Sequence, residues 1–412
     1  MYRVNLHVLP GLLLGTAISL SAPALAASYK PLHDFTGLSH GDGQIPSGEL
    51  VADSLGRLYG TTFLGGTHGG GTVFRLTKNG RSWSEEILFN FPGSAGVMGG
   101  VAIGPSGELY GTTKIGGFAS SGTVWRLNTD GTLTTLHEFN PAGGDGFFPE
   151  AGLVMGKDGM LYGTTAGQPP QDGGVPGPNV IYGTVYRVSP DGDASKYAVL
   201  HVFGATSDGQ FPLRGRLLVD RKGVLTGTTN LGGKNSDGTV YRLSPPKKHQ
   251  TAWTETVLHD FPTSGQFDAV GPVSGVARAL DGTLYGCAGG GTHGNGAVYA
   301  LKTTGEEQVL YNFGDHADDP AAATSCAVMV DADGTLYGTS QGGGANANKG
   351  TLFSLTPPAG GSGAWTVSVL HSFGAGDGQS PDAAPLKRGK MLYGTAELGG
   401  SAGDGMAFVF KP

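Results

Sequence analysis

Charge is scarce in this chain: only 14% of its 412 residues are Asp, Glu, Lys or Arg. The net charge is −7 and no run or stripe of Lys and Arg occurs, so nucleic acid and anionic membrane surfaces are not expected partners. The low Lys and Glu content also argues against long exposed helices. Cysteine is limited to Cys287 and Cys326. An even count in an oxidising compartment permits one disulfide. The plainer reading, two small buried residues at strand ends, carries slightly more weight. After the N-terminus no stretch is long and apolar enough to cross a bilayer. H-E-x-x-H, P-loop and C-x-x-C motifs are all missing. Glycine runs such as Gly65-Gly66 join strand to strand, which excludes a dinucleotide fingerprint. An enzyme site can be assembled from residues scattered along a chain, so missing motifs weaken the enzyme reading without removing it.

Glycine is what the chain has in excess: 76 Gly, with 24 Pro. Disorder fits poorly, because 38% of residues are hydrophobic and 9% aromatic, and they recur in order. Glycine that punctuates regular apolar runs marks tight turns between short strands. Residues 1–26 read as a cleaved export signal: Arg3, an apolar run from Val8 to Leu20, then Ala24-Leu25-Ala26. Cleavage is expected after Ala26, and loss of Arg3 makes the remainder one unit more negative.

One segment returns seven times, as in GRLYGTT (56–62), GELYGTT (107–113) and GTLYGCA (282–288), with its leading Leu at 58, 109, 161, 225, 284, 336 and 392. A second, GTVFRL (71–76) or GTVYRL (238–243), follows each copy after a Gly-rich loop. A third, LHDF (32–35), LHEF (136–139) or LHSF (370–373), also occurs seven times. A fourth, such as ELVAD (49–53) or RLLVD (216–220), precedes the first by a tight turn. All are short, rich in β-branched and aromatic residues, and lack helical periodicity. They predict four strands per repeat, A to D in chain order. Repeats of about 50 residues with four strands each are the size of a propeller blade. The expected fold is therefore all-β: one seven-bladed β-propeller over residues 27–412, four antiparallel strands per blade. The chain begins with a D-type strand, Leu32–Phe35, and ends with a C-type strand, Met406–Phe410. The N-terminal strand is expected to complete the last blade and remove an open edge. An open solenoid is the weaker alternative, because it would want distinct capping repeats.

With LYGTT and GTVFxL repeated over residues 29–412, the chain resembles the GloVer tandem-repeat family of exported bacterial proteins, the choice-of-anchor type. The resemblance implies a β-propeller-like exported protein and no defined catalytic set. Members often carry a C-terminal surface anchor, whereas this sequence stops at Lys411-Pro412, so free secretion or periplasmic residence is weighed beside the cell surface.

Candidate ligand-binding residues lie in loops. Asp42, Asp145, Asp208 and Asp377 each open a D-G…P pattern between strands D and A. They could form a ring of carboxylates for Ca²⁺ or sugar hydroxyls. The alternative is turn formation, and repetition of the spacing with the fold favours it. The long loop from Ala166 to Tyr182 in the third repeat adds Asp172 and is expected to form one lip of any pocket. His33, His137, His201, His259 and His371 fall one per repeat on outer strands, which suits structural roles. Trp83, Trp253 and Trp365 begin D strands and read as hydrophobic pegs. No catalytic residue and no cofactor beyond Ca²⁺ is expected. The functional expectation is an exported, monomeric, non-enzymatic binding or surface module for glycans or envelope components. The alternative is a secreted lyase or hydrolase acting on a polysaccharide or small molecule.

Overall fold

The computed structural model describes residues 27–93, 95–167, 181–204, 207–212, 214–262 and 269–412. The export signal expected at residues 1–26, Asp172 and most of the long third-repeat loop lie outside them. The chain is an all-β, seven-bladed propeller, and its helical content among the described residues is three 3₁₀ turns. Blade I comprises Gly43–Ala52, Leu58–Gly65, Gly69–Asn79 and Ser82–Pro92 as strands A to D. Blade VII comprises Leu386–Arg388, Met391–Ala396 and Met406–Lys411, and its fourth strand is the N-terminal Ser28–Asp34. Ser28 pairs with Lys411 and Asp34 with Met406, so the ring closes by the expected strand. No described helix is long and apolar enough to cross a membrane.

A four-stranded sheet cannot bury both faces alone. The core is accordingly divided into clusters, one between each pair of adjacent blades. At the closing seam Leu32, Phe35 and Val409 of blade VII pack on Leu50, Leu58 and Phe74 of blade I. The LYG glycine is required by close approach. Gly111 faces Trp125 on strand C, and Gly163 faces Tyr186. A Cβ at either position would lie 2.3 or 2.5 Å from the aromatic side chain. The aromatic therefore lies flat across the glycine and fills the seam. Trp83, Trp253 and Trp365 are pegs: each meets the LYG tyrosine of the preceding blade, Tyr393, Tyr162 and Tyr285, at 6.0 to 6.2 Å.

Strand D departs from a regular ladder. Val124 pairs with His137 and Trp125 with Thr135, leaving Leu136 as an extra, bulged residue. The same bulge recurs in the other blades, always at the Leu that opens the segment, which reads LFNF in blade I, LYNF in blade V and L-H-x-F in the rest. It turns that Leu inward and keeps the residue after it and the Phe on one face. Strand A is the other departure. It spans ten residues in blade I but two in blades II, III and IV, and in blade V it splits into Ala269–Pro272 and Ala277–Arg278. The A segments leave their own sheets because they crowd one another near the ring axis. Gly48 has room for no Cβ beside the Gly100 backbone, and Gly215 none beside Gly275.

Hydroxyls join the blades near that axis. The first Thr of LYGTT reaches the A segment of the next blade: Thr61 donates to the Gly99 carbonyl (3.0 Å), Thr228 to Ser274 (2.8 Å) and Thr339 to Ala383 (2.8 Å). In blade V that Thr is replaced by Cys287, which forms a disulfide with Cys326 on strand A of blade VI. A covalent bond thus stands where other seams use a hydrogen bond. The second Thr pairs across the sheet with the Thr of GTV, as Thr62 with Thr72 and Thr165 with Thr184, both at 2.9 Å. Where one hydroxyl is gone its partner is gone too: Ala288 faces Ala297, and Ala396 faces Met406. A lone buried hydroxyl would cost more than the absent pair.

Candidate functional site

The four aspartates singled out in the sequence are not brought together. Each sits in its own blade beside the strand-D histidine: His33–Asp42 at 3.1 Å, His137–Asp145 at 2.7 Å, His201–Asp208 at 3.0 Å and His371–Asp377 at 2.9 Å. The same carboxylates accept backbone N–H groups that open the loop, from Thr36, Asn140, Gly204 and Gly374. These contacts tie strand D to the D–A loop. Asp319 does the same for Tyr311, at 2.8 Å, and for the N–H groups of Gly314 and His316. Burial alone would raise Asp42 and Asp145, but the histidine and backbone hydrogen bonds outweigh it and hold both below the usual range. Each of the five histidines lies edge-on to the Phe two residues later, at 4.6 to 5.0 Å.

Charged residues converge instead at the ring axis. Arg214 and Arg216 alternate along the A segment of blade IV and both reach across the channel. Arg214 Nη1 is 2.9 Å from Asp382 Oδ2 and 3.7 Å from Glu397 Oε1, both on blade VII. Arg216 Nη1 is 3.7 Å from Glu49 of blade I. Its guanidinium lies against Gly152, where a Cβ would be 3.1 Å away, so glycine in blade III makes room for it. Glu150 of blade III pairs with Lys114 at 2.7 Å. Together these groups bound a water-sized space of about 50 Å³, and a second chamber of about 250 Å³ opens below it towards Leu218, Val276 and Met329. The two spaces share Glu49, Arg214, Arg216 and Asp382.

This cluster is not electrostatically closed. The Asp382 side chain is 6% exposed, yet its Oδ1 has no hydrogen-bond partner; Arg216 Nε is likewise buried and unpartnered. Burial pushes Glu397 up to about 8, and the neighbouring Asp382 carboxylate adds to the rise. At neutral pH the axis therefore holds Glu397 as a protonated carboxyl. None of these residues was singled out from the sequence. The signal was there: aligned on the Leu of LYG, the positions equivalent to Arg214 hold Ser47, Met98, Glu150, Val273, Ser325 and Pro381, with Asp382 next to the last, so the repeat varies there while its surroundings hold.

The profile of the Gloeobacter/Verrucomicrobia repeat matches residues 14–176 and 171–326. The chain belongs to that family. The earlier resemblance rested on the same LYGTT and GTVFxL elements. Among curated proteins none matches this family member. Among solved structures it is similar to a puromycin hydrolase mutant in complex with PGG, at 14% identity and a TM-score of 0.53 over 86% of this chain. It spans 50% of that hydrolase's length, and at this identity the likeness concerns the fold. A protein provisionally assigned as a gluconolactonase gives 12% identity and a TM-score of 0.45, covering 94% of this chain and 93% of the other. A provisionally assigned oxidoreductase (glucose dehydrogenase) from Thermus thermophilus gives 16% and 0.40, over 76% and 94%.

Proposed function

We propose that this repeat protein is an exported, non-enzymatic binding module whose ligand, a hydroxyl-rich glycan or envelope component, engages the axial cluster. The observation that carries the reading is the pair of unspent polar atoms there, the acceptor Asp382 Oδ1 and the donor Arg216 Nε. A sugar hydroxyl donates to one group and accepts from the other, so a polyol matches this pairing better than an apolar or purely anionic ligand. The surrounding Arg and carboxylate groups are fixed by ion pairs, which lowers the ordering cost of binding. Export rests on the signal-like residues 1–26; cleavage after Ala26 would leave the ring-closing strand, which starts at Ser28, intact.

A glycan and cell-wall binding screen on purified protein, with and without Ca²⁺, tests the reading. Binding that falls at least tenfold in Arg214→Ala and Asp382→Asn is expected. Loss in neither variant, or no binding at all, contradicts it. One observation favours a second reading, a secreted hydrolase or lyase. Glu397 is held protonated at neutral pH beside a second carboxyl group, Asp382, the raised carboxyl a general acid requires. Turnover of a polymer in the same screen, abolished by Glu397→Gln, would put that reading first.

A further inference from the structure

The rim of the propeller repeats one arrangement at its seams, and the seam that closes the ring departs from it. In blade III, Tyr197 sits at the start of strand D and its hydroxyl donates to Asp145 of the preceding blade, while its ring stacks on His137 at 3.6 Å. In blade VII, Tyr29 stacks on His371 at 4.1 Å from the same register position. A phenol there supplies a proton to the seam. In blades I, IV and V the equivalent residue, opposite the last Leu of strand C, is Glu85, Glu255 or Glu307. A carboxylate brings an acceptor where a donor is needed. The Oε1 atom of each of the three is buried without a hydrogen-bond partner. Glu307 meets the His259 imidazole at 3.2 Å; where the neighbour is instead a carboxylate, a proton or a cation is required between the two.

Among the described residues, one seam draws these groups close enough to share an ion. His33 Nε2, an Asp42 oxygen and a Glu85 oxygen lie within 4.8 Å of one another. One imidazole and two carboxylates form a donor set suited to a first-row divalent ion. Asp42 is oriented from behind by the N–H groups of Thr36 and Gly43 (2.9 and 2.6 Å), the outer support that ligating carboxylates use. The His33 side chain is 22% exposed, which leaves an entry path and room for a water ligand.

We propose that His33, Asp42 and Glu85 bind one divalent transition-metal ion, of the zinc class, at the seam that closes the ring. His33 and Asp42 belong to the N-terminal strand and the loop after it, and Glu85 to blade I, so the ion ties the closing strand to its neighbour. The ion would take one imidazole nitrogen and two carboxylate oxygens as ligands.

The test is titration of metal-stripped protein with zinc chloride, read by calorimetry and by the melting temperature. One equivalent should bind, and Tm should rise with free zinc. Glu85→Gln should weaken binding by at least the roughly tenfold that even an outer-shell loss costs. This variant removes no hydrogen bond from the fold, so it remains folded when His33→Gln does not. Glu255→Gln, at a seam where the three groups are not so close, should bind zinc as the wild type does. Visible absorption of a cobalt(II) substitute should vanish in Glu85→Gln. Absence of saturable zinc binding, or wild-type affinity in Glu85→Gln, overturns the proposal. Neither result bears on the axial site.

Discussion

The rim and the axis of this propeller are built from the same repeats, yet they obey opposite rules. At the rim, equivalent positions do equivalent work: His137 meets Asp145 as His201 meets Asp208, and the strand-D bulge recurs in each blade. At the axis, equivalent positions hold residues as different as Ser47, Met98, Glu150 and Arg214, and Arg214 finds its partners Asp382 and Glu397 across the ring rather than next door. Repetition marks what every blade needs in order to pack. Departure from it marks what the ring as a whole presents. The disulfide follows the first rule in new chemistry, since Cys287 occupies the place of the interblade Thr.

That contrast can be broken or sharpened by experiment. Replacing Cys287 and Cys326 by Ala should cost about 3 kcal/mol in urea denaturation. Restoring the repeat with Cys287→Thr in the Cys326→Ala background should recover about 1 kcal/mol, if the Thr hydroxyl finds a blade VI carbonyl as its counterparts do. No recovery would mean that the seam between blades V and VI is not interchangeable with the others.

Glu397 predicts a pH effect at the axis. Its folded-state pKa is raised from 4.5 to about 8, so the stability it contributes is fully present below pH 4.5 and lost as pH rises through 8. Glu397→Gln should remove that slope, a change on the order of 2 kcal/mol across the window given its Asp382 and Arg214 neighbours. Chemical denaturation at pH 5 and pH 8.5 measures it.

At the rim, Asp145→Asn should cost about 1–2 kcal/mol, because it weakens the bonds to His137 and Tyr197 while keeping an acceptor for the Asn140 N–H. The mildest effect concerns the cross-strand hydroxyls. Thr62→Ala or Thr72→Ala alone should cost about 1 kcal/mol, and the double variant less than the sum, as the natural Ala288–Ala297 pair implies.

The repeated parts of the fold were readable from residues alone. LYG marks strand B because only glycine lies under the strand-C aromatic, and a D-type start with a C-type end gives the closure found between Ser28–Asp34 and Met406–Lys411. The bulge was hidden because an extra residue leaves no trace in strand composition. Asp319 was hidden because its loop, HADDP, lacks the D-G that marks the others. The axial cluster was hidden for a deeper reason. Its members are far apart in sequence and irregular in the repeat, and they meet only when seven A segments curve onto one axis. The disulfide was left open because one pair of cysteines 39 positions apart carries no geometry until blades V and VI are neighbours.

The decisive measurement sets one axial variant against one rim variant in the same two assays, glycan or cell-wall binding and thermal melting. Arg214→Ala should lose binding at least tenfold at a temperature where it remains folded, whatever the loss of its buried ion pair does to Tm. Asp145→Asn should lose several degrees of Tm and keep its affinity. Unchanged binding in Arg214→Ala, with loss in Asp145→Asn at a temperature where it is folded, would contradict the account.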